Sequence, residues 1–337
     1  MKKKLTALLL AATMTLTLTA CGTTSSTSSA SPAASSSAAA SSDKTYTVGI
    51  CQLVQHPALD AATNGFKQAL TDKLGDKVKF DEQNASGDTA TCATICNQFV
   101  SSNVDLIMAN ATPALQAAQT ATSTIPVLGT SVTDYGTALG IQNWTGKTGT
   151  NVSGTSDLAP LDKQADIVKE LFPDAKKVGI LYCSAEPNSK YQSTVITGYL
   201  EKLGYTCKEY TFSDSNDLQS VATSCANDSD VVYVPTDNTV ASNAAIIKNV
   251  CVPLKKPVVA GEEGICSGCG VATLSISYYD LGYETGEMAY DILVNGKNPG
   301  DTEVKFAPKF TKEYNADICK ELGITLPSDY QAIKAAS

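Results

Sequence analysis

The chain of 337 residues contains no arginine, since all 25 of its basic residues are lysine, and it has a single histidine, His56. Arginine is the usual two-point clamp for a carboxylate. An acidic ligand would therefore be held by lysine, by hydroxyl groups or by backbone N–H groups. One histidine argues against a four-ligand zinc site and against Ser-His-Asp catalysis. The chain also lacks a GxSxG elbow and a GxxxxGK[ST] phosphate loop, so no catalytic residue is predicted.

Positive charge is scarce as well. Without the three lysines at positions 2–4, 22 basic residues stand against 34 acidic ones, which gives a net charge of −12. Nucleic-acid binding needs basic patches, so nucleic acid is excluded as a partner. No apolar run of membrane-spanning length follows the N-terminal segment.

That N-terminal segment has the order of an export signal. Three lysines precede an apolar stretch from Leu5 to Leu18, which ends in Leu18-Thr19-Ala20-Cys21. The tetrapeptide resembles the lipobox of bacterial lipoproteins, which implies cleavage before Cys21 and lipid attachment to its sulfur. We predict a signal peptide over 1–20 and a flexible Ser/Ala/Thr-rich tether over 21–43. The protein would then be extracytoplasmic and anchored to the cell membrane by the lipid on Cys21. The alternative is a plain secretory signal.

The rest of the chain repeats itself. Val48-Gly49-Ile50 and Val178-Gly179-Ile180 each open a strand–helix series, and each series continues with further strands and Ala-rich helices. This alternation predicts an α/β protein with two similar doubly wound parallel-sheet lobes joined by a hinge. We expect an N-terminal lobe of 44–155 plus about 273–299 and a C-terminal lobe of 156–272 plus about 300–337. The first half shows its last strand at 125–129, and helices are predicted at 157–171 and 238–249.

Polar residues follow the strands and would face a cleft between the lobes, where open α/β sheets bind ligands. Helix N-termini in these loops suit a carboxylate, and Asp237 or a glutamate could pair with an amine, which together favour an amino acid. The same residues could instead cap helices or remain solvated. The candidate ligand-binding residues are Gln55, His56, Thr112, Ser131, Thr133, Asp134, Ser184, Glu186, Asn188, Thr236, Asp237, Asn238 and Glu262.

Cysteine is abundant, with 11 residues. Most lie in apolar runs and are expected to behave as small buried hydrophobes. Cys266 and Cys269 form a CxxC pair in a predicted Gly-rich loop, where a disulfide or a structural metal remains an alternative. We predict no metal and no cofactor.

Several segments resemble one family of ABC-transporter substrate-binding proteins, often associated with tryptophan or tyrosine uptake. The similar segments cover about residues 46–325 and are Val48-Gly49-Ile50, His56-Pro57-Ala58-Leu59-Asp60, Ala111-Thr112-Pro113-Ala114, Val132-Thr133-Asp134, Asn151-Val152-Ser153-Gly154, Val234-Pro235-Thr236-Asp237-Asn238-Thr239-Val240-Ala241 and Leu281-Gly282-Tyr283-Glu284-Thr285-Gly286. The resemblance implies the type 1 periplasmic-binding-protein fold, a ligand in the interlobe cleft, and delivery to an ABC permease.

We therefore expect a monomeric, lipid-anchored receptor that captures a small molecule, with an aromatic or branched amino acid as the favoured ligand. Two alternatives remain at this point. One is an exported ligand receptor whose partner is a membrane sensor, and the other is an exported enzyme on the same fold.

Overall fold

A computed structural model of the protein describes residues 44–333. The predicted signal peptide, the tether and the lipidation site Cys21 lie outside these residues. Within them, no helix combines the length and the apolar character that crossing a bilayer requires.

Thirteen strands form two sheets in the described chain. In chain order they are β1 (Tyr46–Gln52), β2 (Val78–Asn84), β3 (Leu106–Asn110), β4 (Val127–Val132), β5 (Val152–Ser156), β6 (Lys177–Cys183), β7 (Thr206–Phe212), β8 (Val231–Val234), β9 (Val258–Ala260), β10 (Ala272–Ser275), β11 (Lys305–Phe306), β12 (Thr311–Tyr314) and β13 (Gln331–Ala332).

Twelve α-helices connect these strands in residues 44–333. They are α1 (Pro57–Leu74), α2 (Thr89–Ser101), α3 (Thr112–Ala121), α4 (Tyr135–Leu139), α5 (Leu161–Leu171), α6 (Pro187–Lys202), α7 (Ser215–Asp228), α8 (Asn238–Ser242), α9 (Ala244–Cys251), α10 (Glu263–Cys269), α11 (Tyr278–Leu293) and α12 (Ala316–Leu322). Short 3₁₀ turns occur at Gly75–Lys77 and Pro299–Asp301.

The two sheets confirm the predicted duplication. The first sheet has the order β11-β5-β4-β3-β1-β2 and the second has β13-β12-β10-β9-β8-β6-β7. Five strands in each sheet therefore follow the same 2-1-3-4-5 order, and all of these pair in parallel. Apolar clusters cover both faces of each sheet, as a doubly wound fold requires. We call the halves built on the first and second sheet lobe 1 and lobe 2.

The chain passes between the sheets three times. These passages are 157–160 after β5, 276–277 after β10, and 307–310 between β11 and β12. β10 belongs to the second sheet, and β11 pairs with β5 of the first sheet. Residues 305–306 thus lie in lobe 1, whereas the expected boundary placed the chain from about 300 in lobe 2.

Strand β5 has no predicted counterpart, because its sequence VSGTS is almost free of large apolar residues. The strand is fully buried, and its hydroxyl groups find internal partners. Ser153 donates to the carbonyl of Thr302 (2.9 Å), Ser156 donates to that of Thr133 (2.8 Å), and the hydroxyls of Thr155 and Thr285 lie 2.8 Å apart. Hydrogen bonding therefore stabilises this strand where hydrophobicity does not.

Helix α11 returns the chain to lobe 1 and packs on α1 with unusually close backbones. A Cβ atom on Gly282 would lie 1.9 Å from the carbonyl oxygen of Ala62, and one on Gly65 would lie 2.0 Å from that of Tyr279. Glycine is therefore required at both positions for the helices to approach this closely. This contact fixes α1, and with it the loop that carries His56.

Three further predictions need correction. The segment 238–249 is two helices, since Asn243 separates α8 from α9. Helix α5 begins at Leu161 and not at 157, because residues 157–160 form the first passage. Cys266 and Cys269 lie on helix α10 and not in a loop. They are buried, and the ten cysteines of the described chain are free thiols.

Candidate functional site

The carboxyl ends of the parallel strands in both lobes face one cleft, and the lobes touch across it. The imidazole Nε2 of His56 lies 3.2 Å from the Oδ1 of Asn238 in lobe 2. At a second point, the amide Nε2 of Gln192 donates to the hydroxyl of Thr133 in lobe 1 (3.1 Å). The cleft is therefore closed.

The lobe 1 side of the cleft has a strained backbone. Ala111, between β3 and α3, has φ 93° and ψ 158°, and Ser131 in β4 has φ 54°. They are the two buried non-glycine residues with positive φ in residues 44–333. Such conformations cost free energy and occur at binding sites, where they aim backbone groups at a ligand.

Unpaired polar atoms mark the same region. Among the described residues, buried side-chain atoms without a hydrogen-bond partner include the hydroxyls of Thr112 and Ser131, the Nδ1 of His56 and the Oδ1 of Asn188. All four residues were predicted to bind ligand. Because buried polar groups are normally paired, these four atoms leave unused hydrogen-bonding capacity near the cleft. The Oδ1 of Asn110, at the end of β3, is likewise unpaired and was not among the predicted residues.

Thr112 was alternatively predicted to cap helix α3, and the structure excludes that role. The N-cap of α3 is Ala111, and no side chain caps the helix. Helix α6 also begins without a side-chain cap, after Glu186, as does α1 after His56. Three helices therefore present free N–H groups, with their partial positive charge, near the cleft.

The acidic residues of lobe 2 have a different environment. Asp237 accepts from the backbone N–H of Val240 (2.8 Å) and Cys183 (2.7 Å) and from the hydroxyl of Ser189 (2.7 Å). Glu262 accepts from the N–H of Gly264 (2.7 Å) and from that of Ile265, at the start of α10. Both are helix caps.

The carboxylate of Glu186 also accepts several hydrogen bonds from protein donors. Its two oxygens accept from the backbone N–H groups of Asn238 (3.0 Å) and Thr239 (2.8 Å) and from the side chains of both residues. Asn188 donates to it as well (3.1 Å). The predicted pairing of Asp237 or a lobe 2 glutamate with a ligand amine therefore finds oxygens that protein donors already use.

One buried carboxylate has hydrogen-bond acceptor capacity that the protein does not use, and the sequence analysis did not select it. Asp157, in the first passage, accepts only from two hydroxyls, those of Thr133 (3.2 Å) and Tyr278 (3.0 Å). A carboxylate can accept about four hydrogen bonds. Burial raises the pKa of Asp157 to about 6. None of the buried residues in 44–333 is a lysine that could neutralise it.

The pKa values of two neighbouring caps shift in the same direction. Burial, followed by the charge of Glu186, raises the pKa of Asp237 to about 8, and burial raises that of Glu262 to about 7. Three buried carboxyl groups with raised pKa values thus lie at the first passage and at the strand ends of lobe 2, and none of the buried residues in 44–333 is a lysine that pairs with them.

The remaining predicted residues lie around these groups. Gln192, which was not predicted, joins Thr133 to Thr236 and accepts from the backbone N–H of Thr236 (3.1 Å). Asp134 caps α4 by accepting from Thr137 N–H (2.7 Å). Gln55 and Ser184 are exposed at the rim. Their roles in binding stay predictions.

Two cavities border the closed cleft. One, of about 200 Å³, opens between the loops after β1 and β6 and is lined by residues of both lobes that include Pro113, Glu186 and Asn238. The other, of about 370 Å³, lies beside the second passage between α1 and α10, where Tyr278 and Glu262 contribute to its wall. Both connect residues of the two lobes, as expected at the edges of a hinged site.

Residues 47–335 match the family described as ABC transporter substrate binding protein. The chain belongs to this family. It is 42% identical over 284 residues to the tyrosine-binding protein of Clostridioides difficile (strain R20291), covering 83% of this chain and 82% of that protein. As a substrate-binding protein, the chain is not an enzyme, and the expected family resemblance is confirmed.

Solved structures confirm the fold. A Streptococcus pneumoniae ABC domain in complex with L-Trp is 34% identical, with a TM-score of 0.81 over 85% of this chain and 97% of that one. A leucine-binding protein from Thermotoga maritima, at 14% identity and a TM-score of 0.58 over 82% of this chain and 87% of that one, shares the fold. The substrate-binding protein described here therefore has the predicted type 1 architecture.

A third structure bears on the closure of the lobes. The ligand-free, open structure of a Clostridium difficile substrate-binding protein is 40% identical over 86% of this chain and all of that one, yet its TM-score is 0.66. The sequence is more similar than that of the L-Trp complex, but the structure is less so. This is the difference expected when one partner of the comparison is open and this chain is closed.

Proposed function

We propose that this substrate-binding protein is the extracytoplasmic component of an ABC importer and captures an aromatic amino acid between its lobes. Lipid on Cys21 would anchor it to the membrane, and a permease in that membrane would receive the ligand. The names of two relatives, one tyrosine-binding and one solved with L-Trp, support this ligand class.

The observation that carries the proposal is the set of unpaired hydroxyls in lobe 1. The side chains of Thr112 and Ser131 are buried without partners, beside the uncapped N-terminus of α3. Hydroxyl and backbone N–H donors together form a carboxylate site, and the chain needs no arginine for it. The free α-carboxylate of an amino acid would bind there.

The α-ammonium would pair with Asp157. This carboxylate has spare acceptor capacity, and an ammonium group would supply both hydrogen bonds and the missing positive charge. Its partner Thr133 lies two residues from Ser131, so the positive and negative groups of one amino acid would be bound side by side.

Closure follows from contacts with both lobes. A ligand held by Thr112 in lobe 1 and by residues of lobe 2 would favour the state in which His56 contacts Asn238 and Thr133 contacts Gln192. A ligand shifts such an equilibrium by its differential affinity for the closed state. The permease would then distinguish loaded from unloaded protein by shape.

Isothermal titration calorimetry of residues 44–337 against the 20 amino acids tests the proposal. We expect micromolar or tighter binding of one or more aromatic amino acids and a Kd at least about tenfold weaker for the others, since cleft binding gains its free energy from ring burial. Absence of heat with every amino acid would contradict the ligand class. Native mass spectrometry of the protein as purified provides a control for ligand carried through purification.

A further inference from the structure

The hydrogen-bond network of Glu186 fixes how Asn238 is oriented. The side-chain nitrogen of Asn238 lies 2.7 Å from Oε2 of Glu186, and its backbone nitrogen lies 3.0 Å from the same oxygen. A carboxylate oxygen of this kind accepts hydrogen bonds, so the amide NH₂ must face it. The carbonyl Oδ1 of Asn238 is therefore turned toward lobe 1.

That orientation determines the tautomer of His56. Oδ1 of Asn238 can only accept, so the Nε2 of His56, 3.2 Å away, carries the hydrogen and donates. Burial lowers the pKa of His56, so the ring is neutral. Its Nδ1 then holds a lone pair and no hydrogen. Nδ1 is buried and unpaired, which makes it a free acceptor.

Asn188 offers a second acceptor in the same network. Its amide nitrogen lies 3.1 Å from the Oε2 of Glu186 and 3.0 Å from the backbone carbonyl of Thr236, both of which are acceptors. The nitrogen is thus committed to these partners, and Oδ1 is turned away from them. Oδ1 is also buried and unpaired. One carboxylate therefore orients Asn188 directly and His56 through Asn238.

We propose that the Nδ1 of His56 and the Oδ1 of Asn188 form a specificity subsite that accepts a hydrogen bond from the ligand's aromatic ring. The matching donors are a phenol O–H or an indole N–H. This inference rests on the proposed amino-acid function, because it assigns the side-chain end of the same ligand. Glu186 is the positioning residue of the subsite.

The placement suits the far end of an aromatic side chain. Asn188 precedes Gln192 by four residues on α6, about 6 Å along the helix, and Gln192 contacts the Thr133 group that also holds Asp157. The α-ammonium would bind at the level of Thr133 and Asp157, near the first passage. The ring would then extend toward His56 and the start of α6, next to the cavity whose wall includes Glu186 and Asn238, the two residues that orient the subsite.

Such a subsite discriminates between closely similar ligands. Phenylalanine has no donor on its ring and would leave both acceptors buried without a partner. A site built to hydrogen-bond a substrate group rejects an analogue that lacks it far more strongly than an apolar pocket does. We therefore expect tyrosine or tryptophan to bind, and phenylalanine to bind at least about a hundredfold more weakly.

Calorimetry with L-tyrosine, L-tryptophan and L-phenylalanine tests this, first on the unaltered protein and then on His56→Leu and Asn188→Leu. Loss of the His56–Asn238 contact weakens all ligands together, so the quantity to compare is the ratio of Kd values for phenylalanine and the better donor ligand. We expect each variant to reduce this ratio at least about tenfold. Thr273→Val, which removes an unpaired buried hydroxyl from β10 of the second sheet, is the matched control and should leave the ratio unchanged.

Each outcome has a distinct meaning. If the unaltered protein binds phenylalanine, tyrosine and tryptophan with equal affinity, the subsite is overturned and the amino-acid function still stands. This measurement uses the unaltered protein, so it does not depend on whether a variant folds. An unchanged ratio in folded His56→Leu and Asn188→Leu, checked by circular dichroism, overturns the assignment to these residues. Failure of every amino acid to bind overturns the proposed function itself.

Discussion

Lobe 1 brings unpaired hydroxyls and a strained backbone to the cleft, whereas lobe 2 brings carboxylates that its own helices already occupy. Thr112 and Ser131 in lobe 1 have no partners, and Ser131 has positive φ. In lobe 2, Asp237 and Glu262 accept hydrogen bonds from the first turns of α8 and α10. Equivalent loop positions in the two lobes therefore differ in role: those of lobe 1 have unpaired hydroxyls, and those of lobe 2 cap helices.

The difference shows how a duplicated fold can make an asymmetric site. The lobe 2 acids stabilise short helices and orient neighbouring amides, so their hydrogen-bonding capacity is used within the protein. The lobe 1 hydroxyls have no partner, and Asp157 at the passage accepts from two hydroxyls, so we propose that these groups are available to a ligand. Mutations should separate the two roles, because the first kind changes stability and the second kind changes affinity.

The largest expected effect is that of Asp157→Asn on affinity. The variant keeps the shape but removes the charge that would pair with an ammonium, so we expect a loss of about a hundredfold or more in Kd at pH 7. The ligand-free protein should be as stable as before or more so, since burial raises the pKa of Asp157 to about 6 and disfavours its charged form. Calorimetry and thermal melts measure the two quantities.

The pH dependence gives the control. The pKa of Asp157 in the folded protein is above its usual 3.8, so its stabilising contribution is complete below pH 3.8 and is lost as the pH rises through 6. Ligand binding needs the ionised form and should tighten by about tenfold from pH 5 to pH 7. Glu262 and Asp237 titrate nearby, so the relevant quantity is the difference between the protein and Asp157→Asn. Parallel pH profiles would show that Asp157 does not meet the ligand.

Asp237→Ala should act mainly on stability. The substitution leaves two backbone N–H groups and the hydroxyl of Ser189 without their acceptor. We therefore expect a loss of about 3 kcal/mol in the free energy of unfolding. Asp134→Ala is the matched variant in lobe 1, where one hydrogen bond caps the half-exposed start of α4, and should cost about 1 kcal/mol. Urea unfolding measures both. Equal losses would mean that the two caps are equivalent and that the contrast between the lobes is wrong here.

The same contrast explains what the sequence could predict. Strand–helix alternation and the repeated loops were enough for two doubly wound lobes, because parallel sheets buried on both faces leave long apolar runs. Strand β5 escaped prediction since Ser153, Thr155 and Ser156 are buried by hydrogen bonding and not by apolar character. Helix α10 escaped because its sequence EGICSGC has two glycines, while Glu262 supplies the cap that starts it.

Asp157 was missed for a related reason. Its strand was not recognised, so its position at a strand end had no meaning in the sequence. Asp157 was also placed at the start of the helix predicted at 157–171, whereas α5 begins only at Leu161. A carboxylate directly after a Ser/Thr/Gly segment was the available signal. Conversely, Asp237 and Glu262 were chosen as ligand candidates because a capping acid and a ligand-binding acid look alike in sequence. Only the hydrogen-bond partners distinguish them.

A smaller effect on affinity than that of Asp157→Asn is expected for Thr112→Val. Its hydroxyl has no partner in the protein, so replacement by a methyl group should leave the free energy of unfolding unchanged or slightly higher. If this hydroxyl donates to a carboxylate, affinity should fall by about five- to tenfold. Calorimetry and urea unfolding of the same preparation give both values.

Thr130→Val provides the opposite case within the same lobe. The hydroxyl of Thr130 is equally buried but lies 3.2 Å from that of Thr155, so its loss should cost about 1 kcal/mol of stability and leave affinity unchanged. A Thr112→Val protein that lost stability and kept its affinity would behave like Thr130→Val. The hydroxyl of Thr112 would then belong to the frame of lobe 1, and the carboxylate site would have to rest on Ser131 and the backbone N–H groups of α3 alone.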